Sequence, residues 1–155
     1  MGRLVSNNTN SRTDMPLYLL SCHLSANNNR TVAFSAYISD EPHIVASKGS
    51  IVPFHGVITN TAAAYNPSTS VFTAPVDGDY FFIVHADVST DCRSLQVTLN
   101  GRRVFAADND GGDAHVTGSG LLKLKVGDTV SVTHYNSNGL VDAGNESTFT
   151  GFLVK

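Results

Sequence analysis

Residues 79–88 read DYFFIVHADV, and this stretch has the pattern of a β-strand with two apolar faces. Successive side chains on a strand point to opposite sides of the sheet. The even positions carry Tyr, Phe, Val, Ala and Val, which predicts a face buried in a core. On the odd face Phe81 and Ile83 are apolar as well, whereas the outer face of an antiparallel sandwich is commonly polar. The odd face is therefore expected to be covered, by another copy of the domain, the N-terminal segment or a loop.

The end of the chain repeats this two-sided pattern. Phe149, Gly151 and Leu153 fall on one side of a predicted strand, and Phe152 and Val154 fall on the other. In both strands, apolar residues on the second face indicate that this face is covered.

Turn signals divide the rest of the chain into short strands. Asn100-Gly101 predicts a tight hairpin, because a type I′ turn needs a positive φ at both central positions. About eight to ten strands at this spacing predict an all-β sandwich or jelly roll. The predicted strands are residues 31–38, 50–54, 70–73, 78–88, 94–99, 103–107, 115–126, 129–135 and 147–154, with a turn at 39–42.

Length and charge limit the function classes. The 155 residues fit a single domain, and we expect an N-terminal extension, partly disordered, at 1–30 and a globular domain at 31–155. A net charge of −3 argues against nucleic acid as a partner, which needs a basic face. The apolar run at 15–20 is too short for a membrane span. The first residues lack the charged start followed by an apolar run that marks a secretory signal.

Two cysteines, Cys22 and Cys92, leave the redox compartment open. They could pair with each other, bridge two chains or remain free thiols.

Aromatic, asparagine and glycine residues recur at short spacings along the chain: Phe54, Asn60, Tyr65, Phe72, Gly78, Tyr80 and Phe82. This spacing resembles the signature of the C1q domain. Three further stretches, at residues 34–36, 118–128 and 149–153, resemble other strands of that family, so the resemblance covers 31–155. The final aromatic position of the signature holds Val84 in this chain.

The resemblance implies an all-β, ten-strand jelly-roll sandwich of the C1q/TNF-like type that assembles as a homotrimer. Phe81, Ile83 and Phe152 would then lie at the trimer interface. No Gly-X-Y repeat occurs, so the chain resembles the stalkless invertebrate members of the family. Resemblance to these members implies that the protein is an extracellular, lectin-like pattern-recognition protein of innate immunity that binds microbial glycans. A receptor-binding signalling ligand of the same superfamily is the alternative.

An acidic loop is the predicted metal site. Residues 108–113 read DNDGGD, and oxygen-bearing side chains with glycines at the bends suit a hard cation such as calcium. Some C1q-domain proteins bind calcium in the corresponding loop, and the resemblance implies that Asp108 and Asp113 are such ligands. With Asp110 from the loop composition, the candidate ligands are Asp108, Asp110 and Asp113. A solvated acidic turn would have the same composition.

Polar loop residues are the candidate contacts for a carbohydrate. Amide, carboxylate and imidazole groups supply hydrogen bonds, and a tyrosine ring supplies a stacking surface; ordinary jelly-roll turns have the same composition. The sequence contains no Gly-x-Ser-x-Gly elbow and no His-Glu-x-x-His pair, which favours a binding protein over an enzyme. His85 and His134 fall on predicted strands and are expected in the core or an interface. The candidate ligand-binding residues are Asn109, His115, Tyr135, Asn136, Asn138 and Asp142.

Overall fold

Ten β-strands lie within the part of the chain that the structure describes. The computed structural model describes residues 31–88, 94–108, 115–135 and 139–155, with the backbone only at 40–46, 139–140 and 142–145. A single 3₁₀ turn, Thr61–Ala63, follows the second strand. The strands are β1 Ala33–Ala46, β2 Gly56–Asn60, β3 Tyr65–Asn66, β4 Val71–Thr73, β5 Gly78–Asp87, β6 Ser94–Leu99, β7 Arg102–Asp108, β8 His115–Leu124, β9 Thr129–His134 and β10 Gly139–Leu153.

The strands form two antiparallel halves of five. The ladder order is β2-β1-β10-β5-β8-β7-β6-β9-β4-β3. The first five strands and the last five are joined where β8 meets β7, at the single pair of Asp108 with Thr117. The predicted all-β fold is therefore confirmed, and the two halves face each other across one core.

Aromatic rings from both halves fill that core. Phe34 of β1 stacks on Tyr65 of β3 with ring centroids 4.6 Å apart, and on Phe72 of β4 at 5.3 Å. Phe149 of β10 meets Phe34 edge-on at 4.9 Å. Because β1 and β10 belong to one half and β3 and β4 to the other, Phe34 joins the two layers. Offset and edge-on aromatic pairs of this kind add stability beyond the area they bury.

Tyr65 also satisfies its polar end inside this core. Its hydroxyl donates a 2.8 Å hydrogen bond to the carbonyl oxygen of Phe54. Burial raises the pKa of the Tyr65 hydroxyl to about 12, with a smaller opposing effect from Ser70, so this group stays neutral in the folded protein.

The two-faced pattern of β5 is confirmed. Its even positions from 80 to 86 are fully buried. On the odd face Ile83 is 37% exposed and Phe81 is half-buried. β5 lies between β10 and β8 in the ladder, so its odd face belongs to the outer surface of the first half.

The predicted hairpin at Asn100-Gly101 is also confirmed. The φ angles are 51° at Asn100 and 76° at Gly101, as a type I′ turn requires. The Asn100 amide nitrogen donates to the Asp128 carboxylate at 2.9 Å, and its oxygen accepts from the Thr129 backbone N–H at 2.9 Å. Asn100 therefore forms part of the β6–β7 turn and also connects it by hydrogen bonds to the β8–β9 turn.

Three predictions about local structure are wrong. The strand predicted at 147–154 begins earlier, because residues 139–146 also belong to β10. Residues 39–42 do not form a turn but lie within β1, where the pairing with β10 shifts between Ile38 and His43. Residues 50–54 do not form a strand, since only Ile51 pairs, with Thr133 of β9. Pro53 has no N–H to donate, and the N–H of Phe54 bonds to the carbonyl of Val52 at 3.1 Å instead of a neighbouring strand.

His134 lies in the core, as its strand position predicts. Its side chain is fully buried at the end of β9. Its backbone N–H donates to Ser50 at 3.0 Å, and its carbonyl accepts from Gly49 at 2.8 Å. Burial lowers the pKa of the imidazole below its ordinary value, because the protonated ring would lose its hydration.

This burial gives a pH dependence to stability. Below the ordinary histidine pKa of 6.5, the unfolded chain binds a proton that the folded chain does not accept. We therefore expect the contribution of His134 to the free energy of unfolding to be fully present above pH 6.5. This contribution should be lost progressively as the pH falls below that value. Urea denaturation at pH values on either side of 6.5 measures this slope. His134→Gln should show a weaker slope than wild type, and an unchanged slope would contradict the assignment.

Candidate functional site

Four apolar side chains form a contiguous patch on the outer face of the first half. Phe152 of β10 pairs with Phe81 of β5, and Phe81 pairs with Leu121 of β8. The rings of Phe81 and Phe152 lie 5.6 Å apart. Ile83 is the next outward residue on β5. Phe152 is 42% exposed and Leu121 is 61% exposed in the single chain. We call Phe81, Ile83, Leu121 and Phe152 the outer apolar patch.

The outer apolar patch contains the three residues predicted as an interface, and the structure brings them together. Leu121 is a fourth member that the sequence pattern did not reveal. Its neighbours on the same face of β8 are Ser119 and Lys123, so β8 lacks the two-sided apolar pattern of β5. Only the register of β8 against β5 places Leu121 beside Phe81.

A polar cluster occupies the same outer face further along β5 and β8. His85 and Asp87 are two residues apart on β5, and His115 is the cross-strand partner of Asp87. His115 Nδ1 lies 2.5 Å from Asp87 Oδ1, and His85 Nε2 lies 3.8 Å from the same oxygen. The two imidazole rings are stacked with centroids 5.8 Å apart. We call His85, Asp87 and His115 the His–Asp cluster.

Two hydroxyl groups support this cluster. His85 Nδ1 and Thr117 Oγ1 are hydrogen-bonded at 2.7 Å. The backbone N–H of Asp87 donates to Ser147 Oγ at 3.1 Å. The cluster is therefore anchored on three neighbouring strands, β8, β5 and β10. His85 was expected in a core or interface, and it lies on the outer face with a 42% exposed side chain.

The predicted calcium loop lies largely outside the described residues. Asp108 ends β7 with an exposed side chain, and its Oδ1 accepts a short hydrogen bond from the Ser94 hydroxyl. Its other carboxylate oxygen is compatible with a calcium ligand. Asn109, Asp110 and Asp113 lie outside the described residues. The structure places His115, which follows this loop closely, in the His–Asp cluster. Calcium stays a prediction.

The second predicted ligand group centres on Tyr135. Its ring is 43% exposed, with the Arg103 guanidinium 5.2 Å and the Lys48 ammonium 5.7 Å from the ring centroid. The sequence did not indicate these two cations, which come from distant parts of the chain. Asn136 and Asn138 lie outside the described residues, and Asp142 is described only as a backbone partner of His43.

A shallow groove runs along the outer face of β6 and β9. Ser131 and Thr133 lie on the same face of β9, and Tyr135 follows directly after the last residue of that strand. Its lining is mostly small and polar: Gly49, Ile51, Gln96, Thr98, Gly101, Ser131 and Thr133.

Comparison with known proteins decides the family. The model of the C1q domain matches residues 33–154. The chain belongs to the C1q domain family. This confirms the resemblance found in the sequence.

Curated relatives of this C1q domain come from complement and from the C1q/TNF-related proteins. A subunit of the complement C1q subcomponent of Rattus norvegicus is 35% identical over 107 residues, covering 67% of this chain and 43% of the relative. Complement C1q tumor necrosis factor-related protein 5 of Homo sapiens is 30% identical over 129 residues, covering 79% of this chain and 53% of the relative. The chain thus spans about half the length of these relatives.

Solved structures confirm the jelly-roll fold of the C1q/TNF-like type. The globular domain of zebrafish complement 1qA protein aligns with a TM-score of 0.63 at 23% identity, covering 81% of this chain and 98% of that structure. Eiger TNF from S. frugiperda aligns with a TM-score of 0.64 at 12% identity, covering 81% and 94%.

Among the described parts of the C1q domain, no helix is long and apolar enough to cross a membrane.

Proposed function

We propose that this C1q domain is an extracellular, homotrimeric recognition protein of innate immunity that binds microbial surface glycans. It works as a binding protein rather than an enzyme. The observation that carries this proposal is the outer apolar patch on a domain of the C1q family. Phe81, Ile83, Leu121 and Phe152 form one surface across three strands.

The patch supports self-association. Apolar side chains that touch across neighbouring strands and remain exposed mark an interaction surface. A three-fold arrangement closes on itself, so each copy covers the patch of the next without leaving an open end. The relative from Rattus norvegicus is named as a subunit of the complement C1q subcomponent, and similarity to a subunit of a larger assembly agrees with self-association of this chain.

The groove and Tyr135 support carbohydrate as the ligand class. The half-buried Gln96 amide and Ser131 hydroxyl match the hydrogen-bonding groups of a sugar. The Thr98 hydroxyl is buried and bonds to Ser131 Oγ at 3.0 Å, so it holds Ser131 in place. Lys48 and Arg103 beside the exposed ring of Tyr135 favour glycans that carry carboxylate or sulfate groups. We propose calcium as a cofactor of binding, held by Asp108, Asp110 and Asp113.

A glycan array with calcium and with a chelator tests the proposal. We expect the trimer to bind acidic microbial glycans, with weaker binding in chelator. Arg103→Ala and Tyr135→Ala should each weaken binding about tenfold, which is the loss of one charge-assisted hydrogen bond or one ring contact. Arg102→Ala, an exposed arginine at the neighbouring position, is the matched control. No binding to any glycan or microbial preparation in either condition would refute the carbohydrate ligand.

A receptor-binding signalling ligand is the second candidate. The 30% identity to C1q tumor necrosis factor-related protein 5 and the fold shared with Eiger TNF favour it. Capture of a receptor ectodomain by the trimer, together with an empty glycan array, would support this alternative.

A further inference from the structure

We propose that the His–Asp cluster is a binding site for a divalent transition-metal ion of the zinc type. His85, Asp87 and His115 each offer one donor atom, and all three atoms lie within 4.8 Å of one another. Two imidazoles and a carboxylate are a common zinc donor set. The three donors lie on strands β5 and β8, and none of them is among the residues predicted to bind calcium.

Two of the donor–donor distances bracket the separation found around a tetrahedral ion, and all three donors lie within 4.8 Å of one another. Zinc–ligand bonds of about 2.0–2.1 Å put neighbouring donors roughly 3.3 Å apart. The two observed distances from Asp87 Oδ1 bracket this value, at 2.5 Å to His115 and 3.8 Å to His85. An ion entering between them replaces the Asp87–His115 hydrogen bond. Small rotations of surface side chains then bring the three donors to equal distances.

Thr117 orients His85 for this role. Its Oγ1 lies 2.7 Å from His85 Nδ1. With the proton on Nδ1, that nitrogen donates to the hydroxyl and Nε2 keeps its lone pair. Nε2 is the nitrogen that faces Asp87. Metal-binding histidines usually have such a partner on the second nitrogen, which fixes the ring and its tautomer.

The charge and hardness of the donors favour zinc over calcium. Neutral imidazole nitrogen is a good ligand for zinc, whereas calcium takes six to eight oxygen ligands. The side chains of His85 and His115 are 42% and 56% exposed, so an ion reaches them from solvent. A water molecule can then fill the fourth position.

The site borders the outer apolar patch. His85 is the next residue after Ile83 on the odd face of β5, about 7 Å further along the strand. All three donors belong to one chain, so metal binding does not require a trimer. An experiment that refutes the trimer therefore does not refute the metal site, and an experiment that refutes the metal site does not refute the trimer.

Calorimetric titration of the chelator-stripped protein with zinc chloride tests the site. We expect one zinc ion per chain, with no matching signal from calcium chloride in this site. Asp87→Asn and His115→Gln should each weaken zinc binding tenfold or more, and Thr117→Val should weaken it about tenfold through the orientation of His85. His55→Gln, at an exposed histidine elsewhere, is the control and should bind zinc as wild type does.

A second readout is the absorption spectrum of the cobalt-loaded protein, which reports a tetrahedral nitrogen and oxygen site directly. Circular dichroism confirms that each variant is folded. Absence of saturable zinc binding by wild type would overturn the proposal. Unchanged zinc affinity in the folded double variant His85→Gln/His115→Gln would overturn it as well.

Discussion

Phe34→Ala is expected to destabilise the domain by about 3–5 kcal/mol, the usual cost of removing a buried phenylalanine side chain. Phe34 is almost fully buried and stacks on Tyr65 and Phe72 from the opposite layer. Alanine leaves a cavity between the two halves that the stiff β-sheets cannot close. Because domains of this kind are stable by about 5–15 kcal/mol, this loss removes a large share of the total.

Urea denaturation followed by circular dichroism measures this loss. The control is Val126→Ala, at a valine that is 65% exposed in the β8–β9 turn, which should change stability by less than about 0.5 kcal/mol. A loss below about 1 kcal/mol for Phe34→Ala would contradict its place at the centre of the core.

Phe152→Asp is expected to convert the proposed trimer into monomers. Phe152 is in contact with Phe81 at the outer apolar patch, so an assembled trimer would bury three new carboxylates without cationic partners. Burying an unpaired charge costs several kcal/mol per group, which is enough to dissociate a micromolar assembly. The fold of each chain should persist, because position 152 is exposed in the single protomer.

Sedimentation velocity at micromolar concentration distinguishes the outcomes. Val126→Asp, which adds the same charge in an exposed turn, should sediment as wild type does. A wild-type protein that sediments as a monomer would refute the homotrimer. A Phe152→Asp variant that remains trimeric would place the interface elsewhere on the surface.

The strand pattern and the turn chemistry were sufficient to predict the main architecture. Alternating apolar residues at 80–88 identified the core face of β5, because side-chain direction follows from strand geometry alone. Asn100-Gly101 identified the β6–β7 hairpin, because few residue pairs accept positive φ at both positions. Both signals are local, so one sequence is enough to read them.

The errors in the predicted secondary structure occur where a strand pairs with another strand that is distant in the sequence. Ser39 and Pro42 are typical turn residues, yet β1 continues past them because β10 pairs with both sides of the irregularity. β2 was not predicted because Val57 and Ile58 are exposed on an edge strand, which leaves no apolar alternation to detect.

The His–Asp cluster could be predicted only in part. His85 and Asp87 share one strand face, and His115 was a candidate ligand contact because it follows the acidic loop. Nothing in the sequence gives the register that sets His115 opposite Asp87, 28 residues away. The same limit applies to Tyr135, whose cationic neighbours come from β7 and from the segment before residue 50.

The position of β10 between β1 and β5 also determines when the domain can fold during synthesis. Phe34 pairs with Asn60 of β2 on one side and with Gly151 of β10 on the other. The β1–β2 pair therefore cannot join β5 and β8 until more than one hundred residues after β1 have left the ribosome. Contacts this distant in sequence slow folding to about milliseconds to seconds in small all-β domains. The nascent chain therefore carries exposed apolar strands until its last strand emerges, and it would depend on chaperones throughout that interval.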